Sequence, residues 1–307
     1  MRARAGEPIA IVLLGDQIDL APKLTEKPSG RDRPDAVPVT APAWSVDARF
    51  ASAILANDVR ATSVLARASG GGDQIRLVDV VGATSDNARF AINIEPQAGG
   101  RHLLVDAKDA GSFLRGVDAV RAMQGGHLTI DGVFSRPAGL YPLAGSAVID
   151  ETVVKNSPAL GKLLQAITLY GLVDALRGPG MRFSHVVAPF HYDGHNLGLD
   201  QAYAQNPSLG LTANGRIGLS GGETSLTGTI VPAYFFNAML GHLPVLGRYF
   251  SPEKGGGVFA VRFGVEGDIA DPVITVNPVS ALTPGFLRGI FDNTPADGKD
   301  GAPAQGH

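Results

Sequence analysis

One stretch of the sequence matches a pattern used by serine hydrolases. Residues 218–222 read Gly-Leu-Ser-Gly-Gly and fit G-x-S-x-G, in which a sharp turn from a strand into a helix exposes a nucleophilic serine. The helix is needed because its N-terminus and nearby backbone amides stabilise the oxyanion. Here the pattern is followed by residues 223–230, a threonine-rich segment that predicts a strand. We therefore interpret the motif as a hairpin turn and keep a hydrolase that uses Ser220 as the third alternative.

A second stretch, His191, Asp193 and His195, carries residue types that bind zinc. In one straight strand the period of two would place all three side chains on the same face. Asp193-Gly194 is, however, a strong hairpin signal, and Asn196 extends it. We favour the turn, and whether these residues bind a metal stays open at this point. The sequence predicts no metal site and no cofactor.

The composition restricts the class of protein. The chain has 307 residues, a formal net charge of −3 and no sustained basic run, so we expect no nucleic-acid partner. It has no cysteine, which excludes disulfides and thiolate chemistry. The 40 glycines and 21 prolines favour turns over long helices, because glycine weakens helix interiors and proline breaks them. We expect a mainly β protein that is not an enzyme.

The strands that position these stretches are predicted from alternation and from glycine breaks. Residues 209–219 and 258–266 alternate apolar with polar or small residues, which places one apolar set on one face of each strand. Asp109 and Ser157 are predicted N-caps of two short helices, the first over residues 109–123. The candidate inward-facing residues are Leu209, Leu211, Ile217, Leu219, Phe259, Val261, Phe263 and Val265.

A third predicted helix, from Tyr234 to Phe250, is apolar around most of its circumference. Such a helix must be buried on all sides, lie in a membrane surface or cap an apolar cavity, and the sequence alone leaves the three open. Its apolar residues are Tyr234, Phe235, Phe236, Met239, Leu240, Leu243, Leu246 and Phe250.

Changes in composition divide the chain into four segments. Residues 1–26 contain one predicted strand, Ile9 to Leu20, which we interpret as the remnant of a larger upstream sheet. Residues 27–43 are rich in proline and charge and predict a linker or long loop, and 44–291 predict one β-rich domain. We expect residues 292–307 to be a disordered tail. The apolar run from Pro8 to Leu14 is too short to span a membrane.

The order of motifs after residue 228 resembles the AsmA-like C-terminal region of YhdP-type bacterial envelope proteins. The motifs are a strand that enters Val231-Pro232, a leucine-proline helix segment, three glycines, and two Asx-Pro steps before a short apolar helix. They stand at Gly228 to Tyr234, Asn237, Leu243 to Gly247, Gly255 to Gly257, Asp271-Pro272 and Asn277-Pro278 through Arg288.

The resemblance implies a long twisted antiparallel sheet, curled into an open U-shaped or taco-like trough with an apolar interior, plus three or four short helices. It also implies a protein on the periplasmic side of the cell envelope, anchored in the inner membrane through a part of the parent protein. Members are implicated in moving phospholipid between the inner and outer membranes and in envelope integrity. We expect a lipid-handling scaffold whose partners are phospholipid and a membrane surface or envelope proteins. The alternative is an assembly module of a larger envelope protein, without a ligand of its own.

Overall fold

The computed structural model describes residues 8–26, 42–72, 74–84, 87–136, 139–155, 157, 160–163, 180–207, 209–219, 223–232, 260–268 and 271–279. The predicted helix from Tyr234 to Phe250, the predicted groove residue Phe259, Ser220 and the predicted tail lie outside these ranges. The strands are β1 Ile9–Asp19, β2 Ala43–Ile54, β3 Arg60–Gly71, β4 Gln74–Ala83, β5 Arg89–Gln97, β6 Gly100–Ala107, β7 Met123–Gln124, β8 His127–Phe134, β9 Leu143–Val154, β10 Met181–Tyr192, β11 Asn196–Gln205, β12 Leu209–Gly218, β13 Thr224–Pro232, β14 Ala260–Gly267 and β15 Val273–Val279.

All these strands belong to one sheet in which each strand pairs with its neighbours in the sequence. The short strand β7 stands off this path and pairs with β9. The fold is mainly β, one large open sheet curled as a trough, as the sequence predicted. One detail differs from the predicted antiparallel sheet: β1 runs parallel to β2, which makes the sheet mixed. A parallel pair needs a long connection, and residues 20–42 supply it.

The helices of the described residues are short. They are α1 Ala21–Leu24, a 3-10 turn Ala56–Asp58, α2 Ala110–Gly116 and a helical turn at residues 160–163. Both predicted N-caps are confirmed: Ser112 N donates to Asp109 Oδ1 (2.9 Å) and Leu160 N donates to Ser157 Oγ (3.2 Å).

The helix predicted over residues 109–123 is shorter than expected, because α2 ends at Gly116. Asp118 has a φ of 58°, which no α-helix accommodates. Met123 then pairs with Val154 as part of β7.

Helix α2 covers one end of the sheet. Its residues are almost all buried, and Phe113 packs against Phe90 of β5 with ring centroids 5.6 Å apart. Asn57 Nδ2, in the connection between β2 and β3, donates to Arg115 O (2.9 Å) and to Asp118 Oδ1 (2.8 Å). α2 therefore bridges strands that are not neighbours in the sheet.

The strand register aligns apolar residues on one face of the sheet. In an antiparallel pair, directly opposed residues share a face. Following the pairs from β5 to β14 gives one row across nine strands: Phe90, Ala107, Leu128, Ile149, Val186, Ala204, Leu211, Ile230 and Val261. The tenth strand, β15, adds Val276 to the same face, opposite Phe263. We call the face that carries this row the apolar face and the opposite one the outer face. Val186 packs against both buried clusters, so the core is continuous.

In three long strands, a residue in the left-handed backbone conformation shifts the alternation so that the buried side chains stay on the apolar face. These residues are Ser63, Glu151 and Gln201, with φ of 52°, 53° and 54°. Each is exposed, follows an exposed residue, and precedes a buried one. Such an irregularity bends a strand and changes which residues face inward. At Glu151 it allows Ile149 and Thr152, three positions apart, both to be buried.

Candidate functional site: the apolar face

The structure places the groove candidates that belong to β12 and β14 on the apolar face, but with different exposure. Four are buried: Leu209, Val261, Phe263 and Val265. Leu211 and Ile217 are half-buried, whereas Leu219, just beyond β12, is 46% exposed. The pairing Leu211–Ile230–Val261 shows that the two predicted strands contribute to the same surface.

Part of this surface is covered by the helical turn at residues 160–163. Leu160 and Leu163 pack on the cluster that contains Met181, Ile230 and Val261. Lys162 Nζ donates to Asp271 Oδ1 (2.6 Å) and to Pro272 O (2.8 Å), in the turn between β14 and β15. The hydrogen bond from Lys162 lowers the pKa of Asp271. The hydrogen bonds of Lys162 thus connect the segment after β9, across the apolar face, to a turn that lies five strands further along the sheet.

A second part of the apolar face is more open. Phe190 and Tyr192 of β10, Leu197 and Leu199 of β11, and Ile217 of β12 are half-buried and paired side by side. We call these five residues the open strip. Tyr192 donates to Gly194 O (2.9 Å), and burial raises the pKa of its hydroxyl. Of the five residues in the open strip, the sequence analysis predicted only Ile217. The alternation at residues 197–199 was the signal that could have identified Leu197 and Leu199.

The outer face is more polar than the apolar face, although Leu65, Val81 and Leu104 are exposed on it, and it carries four histidine–aspartate pairs between neighbouring strands. The closest nitrogen–oxygen distances are 3.0 Å for His102–Asp131, 2.6 Å for His127–Asp106, 2.5 Å for His185–Asp150 and 3.0 Å for His191–Asp200. The bond from His127 lowers the pKa of Asp106. These pairs lie at positions that alternate with the apolar row, so all four belong to the outer face.

Among the described residues, Arg101 is the only buried charged residue. It lies on the apolar face opposite Phe134, whose ring centroid is 4.8 Å from the guanidinium carbon. Its Nη1 donates to Ile75 O (2.8 Å), and its Nη2 donates to Arg136 O (3.4 Å) and to Gly139 O. Burial lowers the pKa of this guanidinium. Arg101 therefore joins the start of β4 to the loop between β8 and β9.

The turn interpretation of residues 191–196 is confirmed. Asp193 Oδ1 accepts from His195 N (2.8 Å) and Asn196 N (2.7 Å), and its Oδ2 accepts from Asn196 Nδ2 (3.1 Å). Gly194 has a φ of 101° within the turn, and His191 is paired with Asp200 instead. Within the part of the chain that the structure describes, no group of three or more His, Asp or Glu residues could hold a metal ion.

Asp193 gives a prediction on acid stability. Hydrogen bonds from Asn196 and His195 lower the pKa of this carboxylate to about 2. Because the pKa in an unfolded chain is about 3.9, the stabilisation is present above pH ~4 and is lost as the pH falls through about 2. We expect Asp193→Ala to lower the free energy of unfolding at pH 6 by about 1 kcal/mol, a value reduced for solvent screening.

The matched control is Asp193→Asn, whose amide oxygen can still accept both backbone N–H bonds. Urea unfolding between pH 6 and pH 2 should show a smaller loss in the free energy of unfolding for Asp193→Asn than for Asp193→Ala. The stability of both variants should depend less on pH than that of the wild type. Equal stability of all three proteins at pH 6 would contradict the role assigned to this carboxylate.

The hairpin interpretation of the G-x-S-x-G motif is also confirmed by its flanks. β12 and β13, on either side of the motif, are antiparallel neighbours, with Arg216 paired to Ser225. A nucleophile elbow would require a helix after the motif, and a strand follows instead. Ser220 itself lies outside the described residues.

No family model matches the chain, and no significant match exists among curated proteins or solved structures. None of the helices in the described ranges has the length and apolar character that crossing a membrane requires.

Proposed function

We propose that this protein is a non-enzymatic scaffold that handles lipid. The observation that carries the proposal is the continuous apolar face, which crosses ten strands in register. Acyl chains are recognised by burial of apolar surface, at about 25 cal/mol per Å², and this requires neither a catalytic residue nor a cofactor. The outer face, with its histidine–aspartate pairs, would remain in water.

The open strip is the part of the apolar face where we place the acyl chain. Its five side chains are half-buried without a ligand, and they come from three adjacent strands. By contrast, Val261 and Phe263 already lie in a packed cluster. A phospholipid would add apolar contacts at the open strip while its headgroup stays in water.

The biological setting that we propose follows from the resemblance to the AsmA-like region. In that setting the protein belongs to the periplasmic side of the cell envelope and takes part in phospholipid transport and envelope integrity. A membrane surface or other envelope proteins would be its partners. The four histidine–aspartate pairs on the outer face support this proposal, because a surface that guides lipid needs a more polar side that stays in water.

An assembly module without a ligand is the second candidate. The observation that favours it is the cover formed by Leu160 and Leu163 over the cluster around Val261. In this alternative the apolar face is packing surface, filled by the protein's own helices. The two candidates differ in what occupies the open strip.

Phe190→Asp is the direct test of the lipid proposal. Phe190 lies on the apolar face opposite Leu199, whereas Val187 of the same strand lies on the outer face opposite Tyr203. We expect phospholipid that co-purifies with the wild type, quantified by mass spectrometry, to fall at least ~10-fold in Phe190→Asp, because a charge in an apolar site costs several kcal/mol.

Val187→Asp is the control, since it adds the same charge to the same strand on the other face. Circular dichroism must show that both variants fold. If Phe190→Asp does not fold, Ile217→Asn replaces it as the test variant. Equal lipid content in the two variants, or no phospholipid on the wild type, would reject the lipid proposal in favour of the assembly module.

A further inference from the structure

Two polar side chains on the apolar face carry a buried atom without a hydrogen-bond partner. Among the residues that the structure describes, these atoms are Arg101 Nε and Thr224 Oγ1. The other nitrogen atoms of the Arg101 side chain bond to three carbonyl groups, whereas the hydroxyl is the only polar group in the side chain of Thr224. Thr224 is 1% exposed. A buried hydroxyl without a partner has lost its hydration and gained nothing in return, so it needs an explanation, which a ligand can supply.

The strand register places Thr224 beside the open strip. Leu226 of β13 packs on the apolar cluster, so Thr224, two positions before it, lies on the same face. The pairing of β12 with β13 is regular and brings Thr224 next to Ile217. Ile217 pairs with Leu197, and Leu197 pairs with Tyr192. Thr224 therefore continues one row of the open strip onto a fourth strand.

This row differs in polarity from the row next to it. It lies at the ends of the strands and runs from Arg101 on β6 through Tyr192 to Thr224 on β13, and we call it the end row. The next row inward runs from Val78 on β4 to Ile274 on β15 and contains only apolar residues and glycine. Along the strand direction, the apolar face thus changes from a row with polar groups to a row without them.

The surroundings of the open strip also differ between its two ends. Beyond the end row lie turns whose residues Asp193, His195 and Glu223 are exposed. In the opposite direction, the strands enter the cluster that Leu160 and Leu163 cover. The first end suits a polar group that stays in water, and the second suits an alkyl chain.

We propose that the Thr224 hydroxyl donates a hydrogen bond to an ester carbonyl oxygen of the bound phospholipid and thereby fixes the direction in which the lipid lies. This inference rests on the proposed function. The headgroup and glycerol esters lie at the end row, and the acyl chain runs inward over Phe190 and Leu199. Binding sites for small molecules commonly combine an apolar lining with a few polar groups that fix orientation. Because the hydroxyl is covered, the ester reaches it only if a neighbouring side chain moves aside.

A competition between two lipids tests the proposal on the full chain. The purified protein is mixed with equal amounts of dipalmitoyl phosphatidylglycerol and its dihexadecyl ether analogue, which keeps the headgroup and chain length but has no carbonyl groups. Native mass spectrometry then measures the ratio of the bound lipids. We expect the wild type to prefer the ester lipid about 5-fold, the equivalent of one neutral hydrogen bond. Thr224→Val keeps the shape of the side chain and should bind both lipids equally, whereas Thr224→Ser should keep the preference.

Thr229→Val is the matched control, because Thr229 is a buried threonine of the same strand on the outer face. It should leave the preference unchanged. If circular dichroism shows that Thr224→Val does not fold, Thr224→Ala replaces it. A wild type that binds both lipids equally, or a Thr224→Val variant that keeps the preference, overturns this inference and leaves the lipid proposal standing. A wild type that binds neither lipid overturns both.

Discussion

Val261→Asp is expected to lower the free energy of unfolding by about 4 kcal/mol or more, the largest effect of any substitution proposed for this chain. Val261 is 2% exposed and pairs with Ile230 on one side and Pro278 on the other. A carboxylate there would lose its hydration without gaining a partner. Protonation would reduce the penalty but would still leave a polar group in an apolar cluster.

The control for Val261→Asp is Thr227→Asp, which introduces the same residue on an exposed outer-face position of β13. Its cost should stay below about 1 kcal/mol, the span of strand propensities. Urea unfolding followed by circular dichroism compares the two proteins. If both substitutions cost the same, the assignment of the apolar and outer faces in β13 and β14 is wrong.

Arg101→Ala is expected to cost about 3 kcal/mol. The substitution removes the donor to three carbonyl groups, those of Ile75, Arg136 and Gly139, and opens a cavity beside Phe134. Arg101→Lys should recover only part of this loss, because an ammonium group lacks the planar fork that reaches several acceptors at once. Thermal unfolding should report the order wild type, Lys, Ala.

Arg136→Ala separates this effect from a general loss of positive charge. The side chain of Arg136 is exposed, and Arg101 bonds only to its backbone oxygen, which the alanine variant keeps. We expect a change within about 0.5 kcal/mol, as for most surface substitutions. A loss in Arg136→Ala comparable with that in Arg101→Ala would mean that charge, and not the three carbonyl bonds, is what matters at this site.

Local features of the fold could be predicted from the sequence because short-range chemistry determines them. The N-caps Asp109 and Ser157 bond as their residue types predict, and the Asp193-Gly194 pair forms the expected turn. The alternation in residues 209–219 placed Leu209, Leu211 and Ile217 on one face. Each of these predictions depends on neighbours within a few residues.

The features that sequence reasoning missed depend on contacts between distant segments. The parallel pairing of β1 with β2 joins two segments that are separated by residues 20–42, and no local signal in Ile9–Asp19 specifies it. In the sequence Arg101 cannot be distinguished from any other strand arginine, because its contacts depend on the distant loop that contains Gly139. Alternation also cannot separate a covered residue such as Val261 from a half-open one such as Ile217, because burial depends on the helical turn at 160–163.

The strand order β1 to β15 follows the chain, apart from the small strand β7, so the strands pair with their neighbours in the sequence, and α2 and Lys162 make the contacts over longer distances. In such an arrangement, insertion or removal of a whole hairpin shifts later strands by two places and leaves their apolar residues pointing the same way. Loss of a single strand would instead reverse the direction of every later strand relative to the earlier ones. Length variation in this architecture should therefore occur in steps of two strands. Such steps change the number of strands in the sheet and leave the arrangement of its two faces unchanged.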